Sequence, residues 1–291
     1  MRGRQGEPMK ILEDVSLSNY TTVRLGGTAK KMFVPESEAE LVSLSTEYSP
    51  RYYIGGGSNL LIDDGEYDVV VSLRAFNTKL QDDGDGCFTV GASVRLQELI
   101  KTVNSRGYGG IEYLFSVPGL VGGAVAMNAG RGRSYHQCIS DYIQEVKVLR
   151  NQEVIWIKKD ECGFRYRDSV FKNSNDLVLE IKMKFDRIPV EEAEKARKER
   201  IALCKRVQDN SKPNFGSVFS ESNNSIMNLM RKPVFGKKGG VMYSPKTINW
   251  LLNDNGSFDE AIGLIKRAEL FHKIAHKPCK REIVVWSADK R

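Results

Sequence analysis

The first half of the chain reads as short apolar runs cut by glycines. Arg51–Ile54 and Asp68–Leu73 are rich in β-branched and aromatic residues, which predicts strands, and Gly55, Gly56 and Gly57 follow the first directly. Phe88–Gly91 predicts another strand. Beyond it Leu96, Leu99, Ile100 and Val103 fall at helical spacing, so a helix is expected, capped by Ser93 and stopped by Gly107. Farther on, Leu179, Ile181, Met183 and Phe185 alternate with Glu180, Lys182 and Lys184, the pattern of a half-buried strand. Pro189 then leads into a charged helix over 190–207, the expected connection between an N-terminal domain, 1–189, and a C-terminal one, 190–291. In the latter, Ser257 is placed to cap a helix with Ala261, Leu264, Ile265 and Ala268 on one face. A last strand is expected over Glu282–Trp286. The mixture predicts an α+β class, with neither repeats nor low-complexity segments.

Charge narrows the function. Lysine and arginine outnumber acids 44 to 37, a net +7, but no block of basic residues forms: Lys195–Lys205 is broken by Glu199 and apolar positions. The excess could serve nucleic acid or an anionic small substrate, but dispersed in this way it reads as a solvated helix face sooner than a nucleic-acid surface. No run of about 18 apolar residues predicts a membrane span, and the polar Met1–Lys10 segment does not read as a secretory leader. The five cysteines, Cys87, Cys138, Cys162, Cys204 and Cys279, are scattered, with no Cys-x-x-Cys pair. His272 and His276 share a helix face but lack a neighbouring glutamate of the metalloprotease type. No metal site is expected, and the expected location is the cytoplasm.

Two glycine-rich segments are the candidate chemistry. In Ile54-Gly-Gly-Gly-Ser-Asn-Leu60, consecutive glycines can turn backbone amides into one anion nest, with Ser58 and Asn59 adding donors. A Rossmann fingerprint would need glycine where Leu60 stands, and a strand follows in place of a helix. A Walker loop fails as well, because Arg231 occupies the leading position before Gly236-Lys237. The second segment, Pro118-Gly-Leu-Val-Gly-Gly-Ala-Val-Ala-Met-Asn-Ala-Gly130, is small enough for close approach to a flat ligand or another strand. Two such cradles, both expected beside strands and neither of Rossmann type, favour a dinucleotide bound in an extended shape.

The order Asn19-Tyr-Thr-Thr-Val-Arg-Leu-Gly-Gly27, Gly55-Gly-Gly-Ser-Asn-Leu60, Pro118-Gly-Leu-Val-Gly-Gly123 with Asn128-Ala-Gly130, Tyr166-Arg-Asp-Ser169 and Gly216-Ser217 resembles the UDP-N-acetylenolpyruvoylglucosamine reductase (MurB) family, in its shorter, second type. The similarity runs from about residue 15 to the C-terminus. It implies an α+β fold: an FAD domain of the vanillyl-alcohol-oxidase (PCMH) type, then a smaller α+β substrate domain. It also implies non-covalent FAD, NADPH as hydride donor, and reduction of the enolpyruvyl ether of UDP-N-acetylglucosamine to UDP-N-acetylmuramate for peptidoglycan. No obligate protein partner follows from it.

Carried over residue by residue, the resemblance makes Arg167 the partner of the substrate carboxylate, Ser217 the proton donor and Glu282 a stabiliser of the intermediate. Cofactor contacts fall on Gly55, Gly56, Gly57, Ser58, Asn59, Leu60, Pro118, Gly119, Gly122, Gly123 and Asn128. Lys205, Arg206 and Lys212 are the candidate cations for the UDP moiety. Departures from the family pattern gather in the substrate half. Ser220-Glu221-Ser222 stands where a polar or basic residue and proline are usual, Thr247 replaces a histidine, Val234–Gly240 replaces the usual Gly-Leu-Lys-Gly turn, and Arg131 replaces a small residue. Two alternatives therefore stay open: a reductase of a related enolpyruvyl sugar nucleotide, or an FAD-dependent oxidase. Oxidases of this scaffold often tether flavin through a histidine near the glycine loop, and none stands there. A degenerate nucleotide-binding paralogue is a further reading.

Overall fold

The strand pattern of the first half resolves into two sheets. In the computed structural model, which describes residues 9–132, 135–172 and 174–288, one sheet has the order Lys10–Ser16, Thr28–Val34, Glu66–Ser72, Tyr53–Ile54. The other has five antiparallel strands in the order Glu153–Lys158, Ile143–Arg150, Leu177–Lys184, Cys87–Gly91, Leu80–Gly84.

Two compact units divide the chain. The first contains the chain up to Val15 with Lys30–Gly55 and Asp68–Lys198; the second contains Ser16–Ala29, Gly56–Tyr67 and the chain from Glu199 onward. The helix Val190–Val207 forms as expected, but the division falls within it and not at residue 189. Ser16–Ala29 and Gly56–Tyr67 join the second unit because their partners are there: Leu60–Ile62 pairs in parallel with Val284–Trp286, and Val23 and Leu25 pack in one core with Phe215, Tyr243 and Leu264.

In the first unit the helix Leu96–Ser105 lays Leu96, Leu99, Ile100 and Val103 into a core with Phe88, Val146, Ile181 and Met183. Burial of this apolar stripe, at roughly 1.5–3 kcal/mol per large side chain, holds the helix to the five-stranded sheet. Gly107 stops the helix in the left-handed region (φ 77°). Ser93 does not cap it. Its hydroxyl donates to the Leu73 carbonyl and accepts from the Asn77 N–H at 3.3 Å, so the helix starts after Arg95, with no side-chain cap. The alternating strand, Leu177–Lys184, is central to its sheet, and Glu180 is buried, accepting from Asn77 Nδ2 at 3.4 Å.

In the second unit, Asn214–Ser217, Trp250–Asn253, Val241–Tyr243 and Lys237–Lys238 form a sheet in that order. The helix Phe258–Ile274 covers part of its core. Ser257 and Glu260 make the reciprocal capping box at its start, and Ala261, Leu264, Ile265 and Ala268 are buried. Among the described residues no helix is long and apolar enough to cross a membrane.

Candidate active site

The first glycine loop is anchored within the second unit. Gly57 has φ 66°, and a Cβ there would lie 1.8 Å from the Tyr20 carbonyl oxygen, so only glycine fits. Its own carbonyl accepts the Thr22 N–H at 3.1 Å. Beyond Ser58, the Asn59 carbonyl accepts the Val284 N–H at 3.0 Å, and Leu60 opens the strand that pairs with Val284–Trp286. The strand after the glycines is therefore as predicted.

Ser217 ends the strand Asn214–Ser217, opposite Trp250. Asn214 Oδ1 accepts the Gly216 N–H at 3.0 Å, closing a side-chain turn. Gly216 adopts φ 76°, and a Cβ there would meet nothing within 4 Å. Beyond Ser217, Asn249 fixes the chain on both sides: its Oδ1 accepts the Phe219 N–H at 3.1 Å and its Nδ2 donates to the Phe219 carbonyl at 2.7 Å. Asn249 carries no signal in the sequence, where it is a single polar residue two positions beyond Thr247.

Glu282 does not open the last strand. It lies in the bend between Lys280–Arg281 and Val284–Trp286, because its backbone is held by two different partners. Its N–H donates to the Val218 carbonyl at 2.9 Å, and its carbonyl accepts Asn59 Nδ2 at 3.1 Å. The second unit thus brings together the glycine loop, the Ser217 turn and Glu282.

The second glycine segment differs from expectation. It is not flanked by a strand but forms the helix Val121–Ala126, short and made of residues small enough to press on the sheet. A Cβ on Gly122 would lie 2.8 Å from that of Ala92, whereas one on Gly123 would meet nothing within 4 Å. Beyond the helix, buried Asn128 takes φ 42°. Its amide donates to the Arg165 carbonyl at 2.8 Å and accepts the Ser140 N–H at 3.3 Å. Ser169 Oγ donates to the Ala126 carbonyl at 2.6 Å.

These bonds fasten the Arg167 turn to the helix. Arg165 and Asp168 exchange both backbone hydrogen bonds, 3.0 and 3.1 Å, leaving Tyr166 and Arg167 at the corners. Arg167 sits in the left-handed region, φ 55°, a conformation that costs a non-glycine residue about 1–2 kcal/mol and persists where surroundings impose it. Its carbonyl accepts Lys172 Nζ at 3.3 Å. The guanidinium acts on Cys138: burial and Asp141 push that thiol's pKa up, and Arg167 opposes them. Arg167 belongs to the first unit; Ser217 and Glu282 belong to the second.

Of the three candidate cations, Lys205 and Arg206 are exposed in the last turn of their helix. Lys212 is paired with Asp254 at 2.8 Å. The departures have local partners. Thr247 Oγ1 donates to the Val207 carbonyl at 2.8 Å and Lys246 Nζ to the Lys205 carbonyl at 3.0 Å, so both cap the end of the helix. Glu221 stands opposite Lys280 in a strand pair. Arg131 lies 3.7 Å over the Tyr135 ring and lines, with His136 and Tyr166, a cavity of about 190 Å³.

Comparison with known proteins decides the family. The profile described as FAD binding domain matches residues 29–156. The UDP-N-acetylenolpyruvoylglucosamine reductase of Carboxydothermus hydrogenoformans is 32% identical over 271 residues, spanning 89% of this chain and 88% of that protein. The chain belongs to the MurB family. That of Thermotoga petrophila is 28% identical over 94% of this chain and 98% of its own. The crystal structure of MurB from Thermus caldophilus superimposes with a TM-score of 0.80 at 27% identity, covering 96% of this chain and all of that one. This MurB-family chain is thus an FAD-dependent oxidoreductase with a PCMH-type FAD-binding domain, as the resemblance implied.

Proposed function

We propose that this MurB-family chain uses NADPH to reduce the enolpyruvyl ether of UDP-N-acetylglucosamine to UDP-N-acetylmuramate, a peptidoglycan precursor made in the cytoplasm. The observation that carries the reading is the attachment of Glu282 to both the glycine loop, through Asn59, and the Ser217 turn, through Val218. A cofactor loop is thereby linked to an acid and a hydroxyl group suited to finishing a reduction.

The residues present fit FAD. Gly123 leaves open space where a side chain would stand, and the nearest atom to a Cβ on Gly55 is 3.7 Å away. Neither 55–60 nor 118–130 contains a carboxylate that would repel a diphosphate. In this reading Gly55, Gly56, Gly57, Ser58, Asn59 and Leu60, with Pro118, Gly119, Gly122 and Gly123, hold the cofactor non-covalently; Asn128 acts behind them by fixing the Arg167 turn. Held there, FAD would supply the hydride-transfer chemistry between NADPH and the vinyl carbon of the substrate.

The chain's own residues manage charge and proton. Arg167 pairs with the substrate carboxylate, because a guanidinium stays protonated and presents a planar fork. There it stabilises the negative charge that hydride addition delocalises into the carboxylate. Ser217 Oγ gives its proton to the carbon bearing the ether oxygen, a step open to a weak acid only beside a strongly basic enolate. Glu282 stabilises the same intermediate. Lys205 and Arg206 neutralise the diphosphate of the nucleotide; Lys212 does so only by leaving Asp254.

A second reading rests on Arg131, which adds a cation to the cavity beside Tyr166: a related enolpyruvyl sugar nucleotide as acceptor. Steady-state oxidation of NADPH by the flavin-loaded protein, with the enolpyruvyl ether of UDP-N-acetylglucosamine, separates the two. Turnover supports the first reading; silence despite bound flavin supports the second.

A further inference from the structure

Thr22 joins the two parts of the second unit's site that Glu282 also joins, from the other side. Its N–H donates to the Gly57 carbonyl at 3.1 Å, and its Oγ1 donates to the Asn214 carbonyl at 2.6 Å. Thr22 is itself held firmly. Thr21 Oγ1 donates to the Leu25 carbonyl at 2.8 Å and accepts the Leu25 N–H at 3.2 Å. Val23 is fully buried, and its carbonyl accepts Asn253 Nδ2 at 2.8 Å. The branched Thr22 side chain has few rotamers, so its hydroxyl works as a short rigid strut.

Followed round, the bonds close on themselves. Gly57 is tied to Thr22, Thr22 to Asn214, the chain runs from Asn214 through Ser217 to Val218, Val218 is tied to Glu282, Glu282 to Asn59, and two residues return to Gly57. A ring of this kind transmits order: fixing one arc lowers the cost of fixing the opposite one.

We infer that Thr22 is a positioning residue, whose hydroxyl passes the ordering of residues 56–60 by FAD to the turn that carries Ser217. The inference rests on the reading of 56–60 as a cofactor loop. A purely structural Thr22 would lower stability when altered but would leave the response of 214–219 to FAD unchanged.

Hydrogen exchange followed by mass spectrometry tests this without substrate. Apoprotein and FAD-loaded protein are compared for the wild type, Thr22→Val, which removes the hydroxyl at nearly constant shape, and Thr22→Ser, which restores it. In the wild type FAD is expected to slow exchange at both 56–60 and 214–219, the latter by about three- to tenfold, the effect of one hydrogen bond. In Thr22→Val the slowing at 56–60 persists and that at 214–219 shrinks to what the Glu282 link alone carries; Thr22→Ser recovers it. Equal slowing of 214–219 in Thr22→Val and wild type overturns the inference alone. So does slowing of 56–60 in the wild type with no change at 214–219, a comparison that stands even if Thr22→Val does not fold. Binding of FAD with no change at 56–60 overturns the cofactor placement and the inference together.

Discussion

The side-chain amide of Asn59 donates to the main-chain carbonyl of Glu282 at 3.1 Å, across 223 positions of sequence. A residue of the glycine loop thus fixes the backbone from which the proposed acidic group projects. In the first unit Asn128 does the same for the turn that carries Arg167, through the Arg165 carbonyl. Each asparagine lies beside a glycine segment and orients a residue far from it in sequence.

Asn59→Ala removes that donor and is expected to lower stability by about 1–2 kcal/mol. Asn59→Asp is expected to lower it further, since a carboxylate oxygen then faces a carbonyl oxygen. Urea unfolding of the two variants against wild type measures both effects. An unchanged midpoint for each would remove the bond from the account.

Ser217→Ala separates the two half-reactions. NADPH should bleach the flavin at close to the wild-type rate, while reoxidation by the sugar nucleotide slows by about a hundred- to a thousandfold. Stopped-flow absorbance resolves the two phases. Equal slowing of both would take the proton-donor role from Ser217.

Arg167 carries backbone strain along with its charge. Arg167→Ala and Arg167→Gly should both lose nearly all reduction of the sugar nucleotide, yet the glycine variant should be the more stable by about 1 kcal/mol, because glycine accepts φ 55° freely. Thermal unfolding of the pair reads this directly. Equal stability would mean the turn relaxes when the side chain is removed.

Much of the fold was legible in the sequence because periodicity and caps are local. The helices Leu96–Ser105, Val190–Val207 and Phe258–Ile274 follow from apolar spacing, from Pro189 and from the Ser257 cap. What was not legible depends on distant partners. Ser93 looks like a cap until the Leu73 carbonyl is seen to take its hydroxyl. Glu282 looks like a strand residue until Val218 and Asn59 are seen to hold its backbone. Thr22 and Asn249 have ordinary sequence surroundings, and their roles come only from bonds to Asn214 and Phe219. Thr247 likewise reads as a lost histidine in sequence and as a helix cap in the structure.

Asp209 gives the second unit an acid-sensitive knot. It accepts Ser244 Oγ at 2.6 Å, Ser211 Oγ at 2.6 Å and the Ser211 N–H at 3.2 Å. Burial opposes its ionisation, but these bonds and nearby Lys246 outweigh burial and hold its pKa below the usual value. A carboxyl group depressed on folding adds stability above its unfolded pKa, near 3.9, and that contribution is lost as pH falls through the folded value. Asp209→Asn should therefore lower stability at neutral pH by about 1–3 kcal/mol and flatten its decline below about pH 4. Urea midpoints between neutral and acid pH check the slope; parallel curves for variant and wild type would contradict it.

The central claim is that hydride and proton end on the enolpyruvyl group of a UDP-sugar. Mass spectrometry of the product formed from NADPH and the enolpyruvyl ether of UDP-N-acetylglucosamine tests it most directly, with a run in deuterium oxide to trace the solvent proton. The account predicts UDP-N-acetylmuramate, two hydrogens heavier than the substrate, with solvent deuterium at the carbon that bears the ether oxygen. Recovery of unchanged substrate from flavin-loaded protein whose flavin NADPH has bleached would contradict it.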